Sequence, residues 1–217
     1  MNIIILGPPG SGKGTQAEFL AEKFNLSHID IGLALRQTAK EKTALGKSIS
    51  RIINKKRELV PDKIILSVLR KEFNEIPPRR GIVLDGAPRR IDQIDEVENA
   101  FKKIRRRIDK VIYLKISPRE SIKRISKRYQ CSQCFARFVL GRDIKSPRYG
   151  CPVCAGKIQR RKDDTPAGIR KRLAVYRRET TPVIEYFRRK KLLLEINGKK
   201  KIDETFKFLA KKLEDHH

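Results

Sequence analysis

Residues 7–15 read Gly-Pro-Pro-Gly-Ser-Gly-Lys-Gly-Thr (GPPGSGKGT), between an apolar run, Ile3–Leu6, and a stretch of helical period, Thr15–Phe24. Gly7, Gly12 and Lys13 fit G-x-x-x-x-G-K in the strand, loop, helix order that the pattern requires. A loop this poor in side chains lets something approach its main chain closely. Its N–H groups, with the positive end of the helix that follows, form a cradle for phosphate oxygens, and Lys13 reaches the outer phosphates. A strict match places Ser or Thr directly after the lysine; Gly14 intervenes here and Thr15 follows.

Outward from this loop, short unbroken apolar runs (Ile82–Leu84, Val111–Ile116, Leu192–Ile196) alternate with segments of helical period (Lys63–Phe73, Ile91–Ile104, Ile169–Phe187, Glu204–Leu213). Apolar strands separated by helices predict an α/β fold whose parallel sheet is buried on both faces. His28 and Ile29 supply one more short strand. Two regions break the alternation: Ile31–Val60 reads as all helical, and Tyr129–Arg161 is rich in Gly, Pro, Cys and Arg. Both are candidate insertions into one domain, which 217 residues can fill with a full core.

No stretch approaches the roughly 18 apolar residues of a membrane span, and Asn2–Leu6 lacks the basic flank of a signal peptide. A soluble cytoplasmic protein is expected. The charge is far from balanced, with 52 Lys and Arg against 25 Asp and Glu for a net +27. Such a surplus suits a phosphate-rich ligand, nucleic acid or an acidic surface. Residues Lys123–Lys162 hold twelve basic residues and one acid, Asp143, yet further clusters at Lys102–Arg107, Arg188–Lys191 and Lys199–Lys201 spread the charge too widely for one anion site. A basic surface therefore accounts for part of it, with non-specific polyanion binding at low salt as its consequence.

Cys131-x-x-Cys134 and Cys151-x-x-Cys154 are separated by 16 residues, a spacing that reads as a structural Zn²⁺ site. Four thiolates leave no open position, so such a metal staples rather than catalyses. The segment around them is too small and polar to have much core, and ligation would supply what burial cannot. Disulfides are the alternative, disfavoured by the absence of an export signal.

Three blocks together, GPPGSGKGTQA from Gly7, LDGAPRRIDQ from Leu84 to Gln93, and RRKDD from Arg160 to Asp164 followed by RKRL to Leu173, resemble the adenylate kinase family of bacterial type, in order and over essentially the whole chain. The resemblance implies a P-loop NTPase-like five-stranded parallel core (1–30, 61–126, 163–217), an NMP-binding insertion (31–60) and a mobile zinc-binding lid (127–162). It implies transfer of a phosphoryl group from ATP with Mg²⁺ to AMP, giving two ADP, in a monomer. The acceptor oxygen is already anionic, so the chemistry needs positioning and charge neutralisation rather than a base.

Carried over by the same resemblance, Gly10, Ser11, Gly12, Lys13, Gly14, Thr15, Arg124, Arg128 and Lys200 bind ATP. Ile31, Arg36, Val60, Gly86, Arg89, Gln93, Arg161 and Arg172 bind AMP, with Gln93 as the adenine reader. Lys13, Arg89, Arg124, Arg161 and Arg172 are the catalytic set, and Asp85, at the end of a strand, holds Mg²⁺ through water. Arg124 and Arg128, four apart on an expected helix, would share a face. Three departures bear on the acceptor: the family's usual Thr is Ile31, its usual Asp is Leu33, and a common Phe is Ala87. The loss at Leu33 removes a carboxylate that could pair with a lid arginine. Two alternatives remain open, a kinase for another nucleoside monophosphate and a basic zinc-ribbon nucleic-acid-binding or ribosome-associated protein. The second would need aromatics among its basic residues, and only 6% of residues are aromatic, with no Trp.

Overall fold

The structure, a computed structural model, describes residues 1–56 and 58–215, apart from the Lys55 side chain; the terminal His216 and His217 lie outside the described residues. Along the chain run β1 (Asn2–Leu6), α1 (Lys13–Lys23), β2 (Leu26–Asp30), α2 (Ile31–Thr38), α3 (Ala44–Ser50), a π-helical turn (Arg51–Lys56), α4 (Asp62–Asn74), β3 (Gly81–Asp85), a 3-10 turn (Ile91–Gln93) and α5 (Ile94–Lys103). After these come β4 (Lys110–Lys115), α6 (Pro118–Ser126), β5 (Arg128–Cys131), β6 (Arg137–Val139), β7 (Ile158–Gln159), α7 (Pro166–Val175), a π-helical turn (Tyr176–Thr180), α8 (Thr181–Arg189), β8 (Leu193–Asn197) and α9 (Ile202–Glu214).

The main sheet is five-stranded and parallel, in the order β2-β3-β1-β4-β8. Every residue of β1 is buried because alternate side chains enter different cores. Ile3 and Ile5 join Leu20 of α1 and Leu209 and Leu213 of α9, while Ile4 and Leu6 join Leu69 of α4, Phe101 of α5 and Val183 and Phe187 of α8. Such two-sided burial is why these strands read as unbroken apolar runs. β1 is central, so the loop that leaves its carboxyl end emerges where the connections on its two sides diverge, the usual place for a ligand in an open α/β sheet.

The two interruptions are built differently. The first holds the helices α2 and α3 and the π-helical turn, with non-helical segments at 39–43 and 58–60 where the sequence predicts helix throughout, and it packs Ile49 and Val60 onto the main core. Residues 129–161 form a separate antiparallel sheet, β6-β5-β7, over a core of five buried residues: Cys131, Phe138, Ile144, Cys151 and Ile158. The expected helix Ile169–Phe187 is interrupted by the π-helical turn at Tyr176–Thr180. One expectation is corrected. Arg124 lies in the last turn of α6, but Arg128 lies beyond the helix and begins β5, because pairing with Val139 of β6 draws the chain into extended form. They do not share a helix face.

Candidate active site

A cleft of about 950 Å³ opens over the carboxyl edge of the main sheet. It runs from Gln93, past the phosphate loop, to Lys199–Asp203 at the start of α9. Every residue expected to bind nucleotide lines it except Ser11, whose side chain is buried behind the loop.

The phosphate loop joins β1 to α1. Gly12, at the helix start, has φ +93°, a left-handed conformation that favours glycine, and a Cβ there would meet nothing, so the backbone and not crowding selects the residue. Lys13 folds back over the loop and donates from Nζ to the carbonyls of Gly7 (2.8 Å) and Pro8 (3.1 Å). Burial pulls its ammonium down to about 8, against the opposing pull of Asp85, and Arg89, Arg172 and Arg128 push the same way as burial. Asp85 ends β3 beside it, its carboxyl raised by burial although Lys13 and Arg89 favour the ion. A carboxylate here offers hard oxygen ligands of the kind Mg²⁺ or its water shell takes. His28, one strand over, is pushed down to about 4, mainly by burial and then by Arg137, which keeps it neutral.

Across the cleft stands a crowd of guanidinium groups organised by two acids. Arg128 binds Asp164 in a fork, with Nε to Oδ2 at 2.9 Å and Nη2 to Oδ1 at 2.5 Å. Arg172 reaches Asp164 at 2.8 Å and Asp163 at 2.9 Å, and Arg36 approaches Asp163 at 3.9 Å. Arg89 donates from Nε to the Gly86 carbonyl at 2.8 Å, and Arg124 pairs with Glu120 at 2.7 Å while approaching the Ser11 carbonyl at 3.4 Å. Burial lowers the pKa of Arg36, Arg89, Arg161 and Arg172, and for Arg161 the neighbouring Arg36, Arg128 and Arg137 push it well below its ordinary value. Arg161 Nε is buried and without a hydrogen-bond partner. Buried like charges of this density demand an anion, and planar forks suit phosphate oxygens. Lys200 lines the cleft with its ammonium 5.6 Å from the Phe208 ring.

Three site residues escaped the sequence reading. The carboxylate missing at Leu33 is replaced by Asp30, which caps α2 by accepting the Leu33 N–H at 2.8 Å and pairs with Arg137 of β6. Arg137 crosses from the small antiparallel sheet, lies 3.8 Å from Glu18, and occupies the space that a Cβ on Gly14 would need. Asp62 binds the Gln93 side chain from behind. Asp30 and Arg137 are 107 residues apart, and only the fold makes them neighbours. The segment with the small sheet also touches the helical insertion directly: Lys40 lies 4.1 Å from the Phe135 ring centroid and donates to the Ser132 carbonyl.

The four cysteines converge. Their sulfurs all lie within 4.8 Å of one another, with Cys131 to Cys154 at 3.5 Å and Cys134 to Cys151 at 3.7 Å. Those separations exceed any disulfide and match the tetrahedral edge of about 3.8 Å that follows from Zn–S bonds of about 2.3 Å. The Gln133 and Val153 N–H groups point at Cys131 and Cys151 Sγ at 3.3 and 3.4 Å. Burial raises the Cys131 thiol, but the Gln133 and Cys134 N–H groups and the neighbouring thiols outweigh it and pull the group down, while the same thiols push Cys134 up. Cys131 ends a strand, yet no helix follows it, so the arrangement is not that of a redox pair.

Comparison with known proteins matches the family model described as adenylate kinase to residues 5–192. The chain is 39% identical to the adenylate kinase of Methanocella arvoryzae over 94% of each chain, and 37% identical to that of Caldicellulosiruptor saccharolyticus over 98% of this chain and 99% of the relative. It is 35% identical to the adenylate kinase of Archaeoglobus fulgidus over 99% and 98%.

Proposed function

Because the chain belongs to the adenylate kinase family, we infer that it is an ATP:AMP phosphotransferase, moving the terminal phosphoryl of ATP reversibly to AMP to give two ADP. The observation that carries the assignment of roles is the ring of buried guanidiniums facing the phosphate loop across one cleft. The amides of Gly10–Thr15 and Lys13 hold the donor phosphates, with Arg124, Arg128 and Lys200 on the same side. Arg36 and Arg89 hold the acceptor phosphate beside Ile31, Val60 and Gly86, and Gln93 faces the base. Arg161 and Arg172 stand between the two and neutralise charge on the phosphoryl in flight. Mg²⁺ arriving with ATP would neutralise phosphate charge, and Asp85 is the carboxylate that would hold its water shell.

In this reading 31–60 is the NMP-binding insertion and 127–162 the lid. The ion pair of Arg137 with Asp30 and the contact of Lys40 with Phe135 hold the lid down over the cleft. Closure removes water that would otherwise accept the phosphoryl. Cys131, Cys134, Cys151 and Cys154 would hold one Zn²⁺, which would keep the lid folded without joining the chemistry. Ile31 and Ala87, both buried, make the acceptor side more apolar than the family pattern. A coupled assay of ADP formation with AMP, dAMP, GMP, CMP and UMP tests the reading: AMP is expected to be the best acceptor, and no turnover with any of them would overturn it.

A further inference from the structure

Gln93 is 4% exposed, and its side-chain amide is held from both ends. Oε1 accepts the Arg89 backbone N–H at 2.7 Å, and Nε2 donates to Asp62 Oδ1 at 2.5 Å. The two partners have opposite chemistry. A backbone N–H only donates, and the Asp62 carboxylate, whose other oxygen pairs with Arg90, only accepts. A single orientation of the amide satisfies both bonds, so the network itself assigns which atom is oxygen. One lone pair on Oε1 and one N–H on Nε2 are left for the cleft, in a set order.

We propose that Asp62 is a specificity-determining positioning residue that locks the Gln93 amide in the orientation that reads a 6-aminopurine and rejects a 6-oxopurine. This rests on the reading of Gln93 as the base reader. Adenine presents an acceptor at N1 and a donor at its 6-amino group; guanine and hypoxanthine present a donor at N1 and an acceptor at O6. The locked amide meets adenine with its N–H toward N1 and Oε1 toward the amino group. A 6-oxopurine, its register set by Arg36 and Arg89 on the same phosphate, meets donor with donor and acceptor with acceptor. A site that leaves buried polar groups unpaired against the wrong ligand discriminates far more strongly than one that only lacks contact area. Without Asp62 the Arg89 N–H is the one remaining hold on the amide, so turning it over to read a 6-oxopurine leaves one donor unpaired instead of breaking both bonds. Asp62, the first residue of α4, stands behind Gln93 and outside the cleft lining, so it acts through Gln93 and not on the base.

Steady-state kinetics of the full chain with AMP, GMP and IMP as acceptors test the proposal. In Asp62→Asn, whose amide accepts or donates equally well, kcat/KM for AMP falls about tenfold, mainly through KM, the worth of one hydrogen bond to a charged group. The GMP:AMP and IMP:AMP ratios rise at least tenfold, and KM for ATP stays put. Asp62→Glu, still acceptor-only, restores the parent ratios, and Arg90→Gln, which keeps the Asp62 bond to Gln93, leaves them unchanged. If Asp62→Asn is too unstable to assay, Asp62→Ser serves, since a hydroxyl also donates or accepts. Equal losses for all three acceptors, or unchanged ratios, overturn the proposal. Gln93→Leu separates the two levels: an unaltered kcat/KM for AMP removes Gln93 as reader, whereas a tenfold loss there beside unchanged ratios in Asp62→Asn removes only the lock.

Discussion

In the main sheet all five residues of β1 are buried and helices cover both faces, whereas the lid has strands of two to four residues around five buried side chains, two of them cysteines. The first is held by apolar area, which is non-directional and works wherever chain is plentiful. The second has four converging cysteine sulfurs and ion pairs to other parts of the molecule, those of Arg137 with Asp30 and Glu18 among them. The two regions thus differ in the kind of force that holds them, and the cleft lies where they meet; in the proposed function the first stays still and the second moves. Segments that open in function are drawn from the low-stability end of a structure.

The largest expected effect separates chemistry from scaffold. Lys13→Met should lower kcat by about a thousandfold, the scale of losing one preorganised cation from a transition state, with a melting temperature at or above the parent's because a buried charge is gone. A mutant that melts early would mean that Lys13 supports the loop instead.

Next, Leu69→Ala in the core should cost about 3 kcal/mol in denaturant unfolding while activity per folded molecule is retained. The lid counterpart is Cys134→Ser, or chelation of the parent. Activity should vanish and proteolysis should cut within 127–162, yet far-ultraviolet dichroism should retain the main sheet and its helices. Metal analysis should find one zinc per parent chain. Loss of the whole dichroic signal at the same temperature would erase the distinction between the two regions.

A double-mutant cycle of Arg137→Ala and Asp30→Asn should show a coupling of about 1 kcal/mol in KM for ATP. Strict additivity would show that the pair does not hold the lid. The smallest effect concerns pH. Lys13 has its pKa lowered to about 8, so it is charged below that value and binds phosphate best there. KM for ATP should rise a few-fold as pH climbs from about 7.5 to 8.5, since a depressed lysine loses its proton in that window. Lys13→Arg should abolish the inflection, as guanidinium keeps its charge.

The core was readable because its cause is local: two-sided burial writes unbroken apolar runs such as Ile3–Leu6 and Val111–Ile116, and helices write a different period. The phosphate loop and the four cysteines were readable because a main-chain cradle and a metal both need particular residues at short spacing. The lid strands were not, since a two-residue strand such as Ile158–Gln159 leaves no periodicity. Arg128 was misplaced for a similar reason, as nothing local distinguishes the last turn of α6 from the first residue of β5. Asp30, Arg137 and Asp62 escaped because their roles exist only between segments. A Leu at position 33 reads as a lost carboxylate until β2 brings Asp30 to the same cleft.

Lys40, in the turn after α2, reaches Phe135 and Ser132, so the helical insertion and the small antiparallel sheet touch each other as well as the core. If both close as the proposed function has it, neither does so without changing the other's energy. Whatever factor the acceptor contributes to the donor's affinity through that contact, the donor must return to the acceptor, because binding linkage is reciprocal. Removing Lys40 would make occupancy by either nucleotide less informative about the other, a loss visible in ternary but not in binary equilibria.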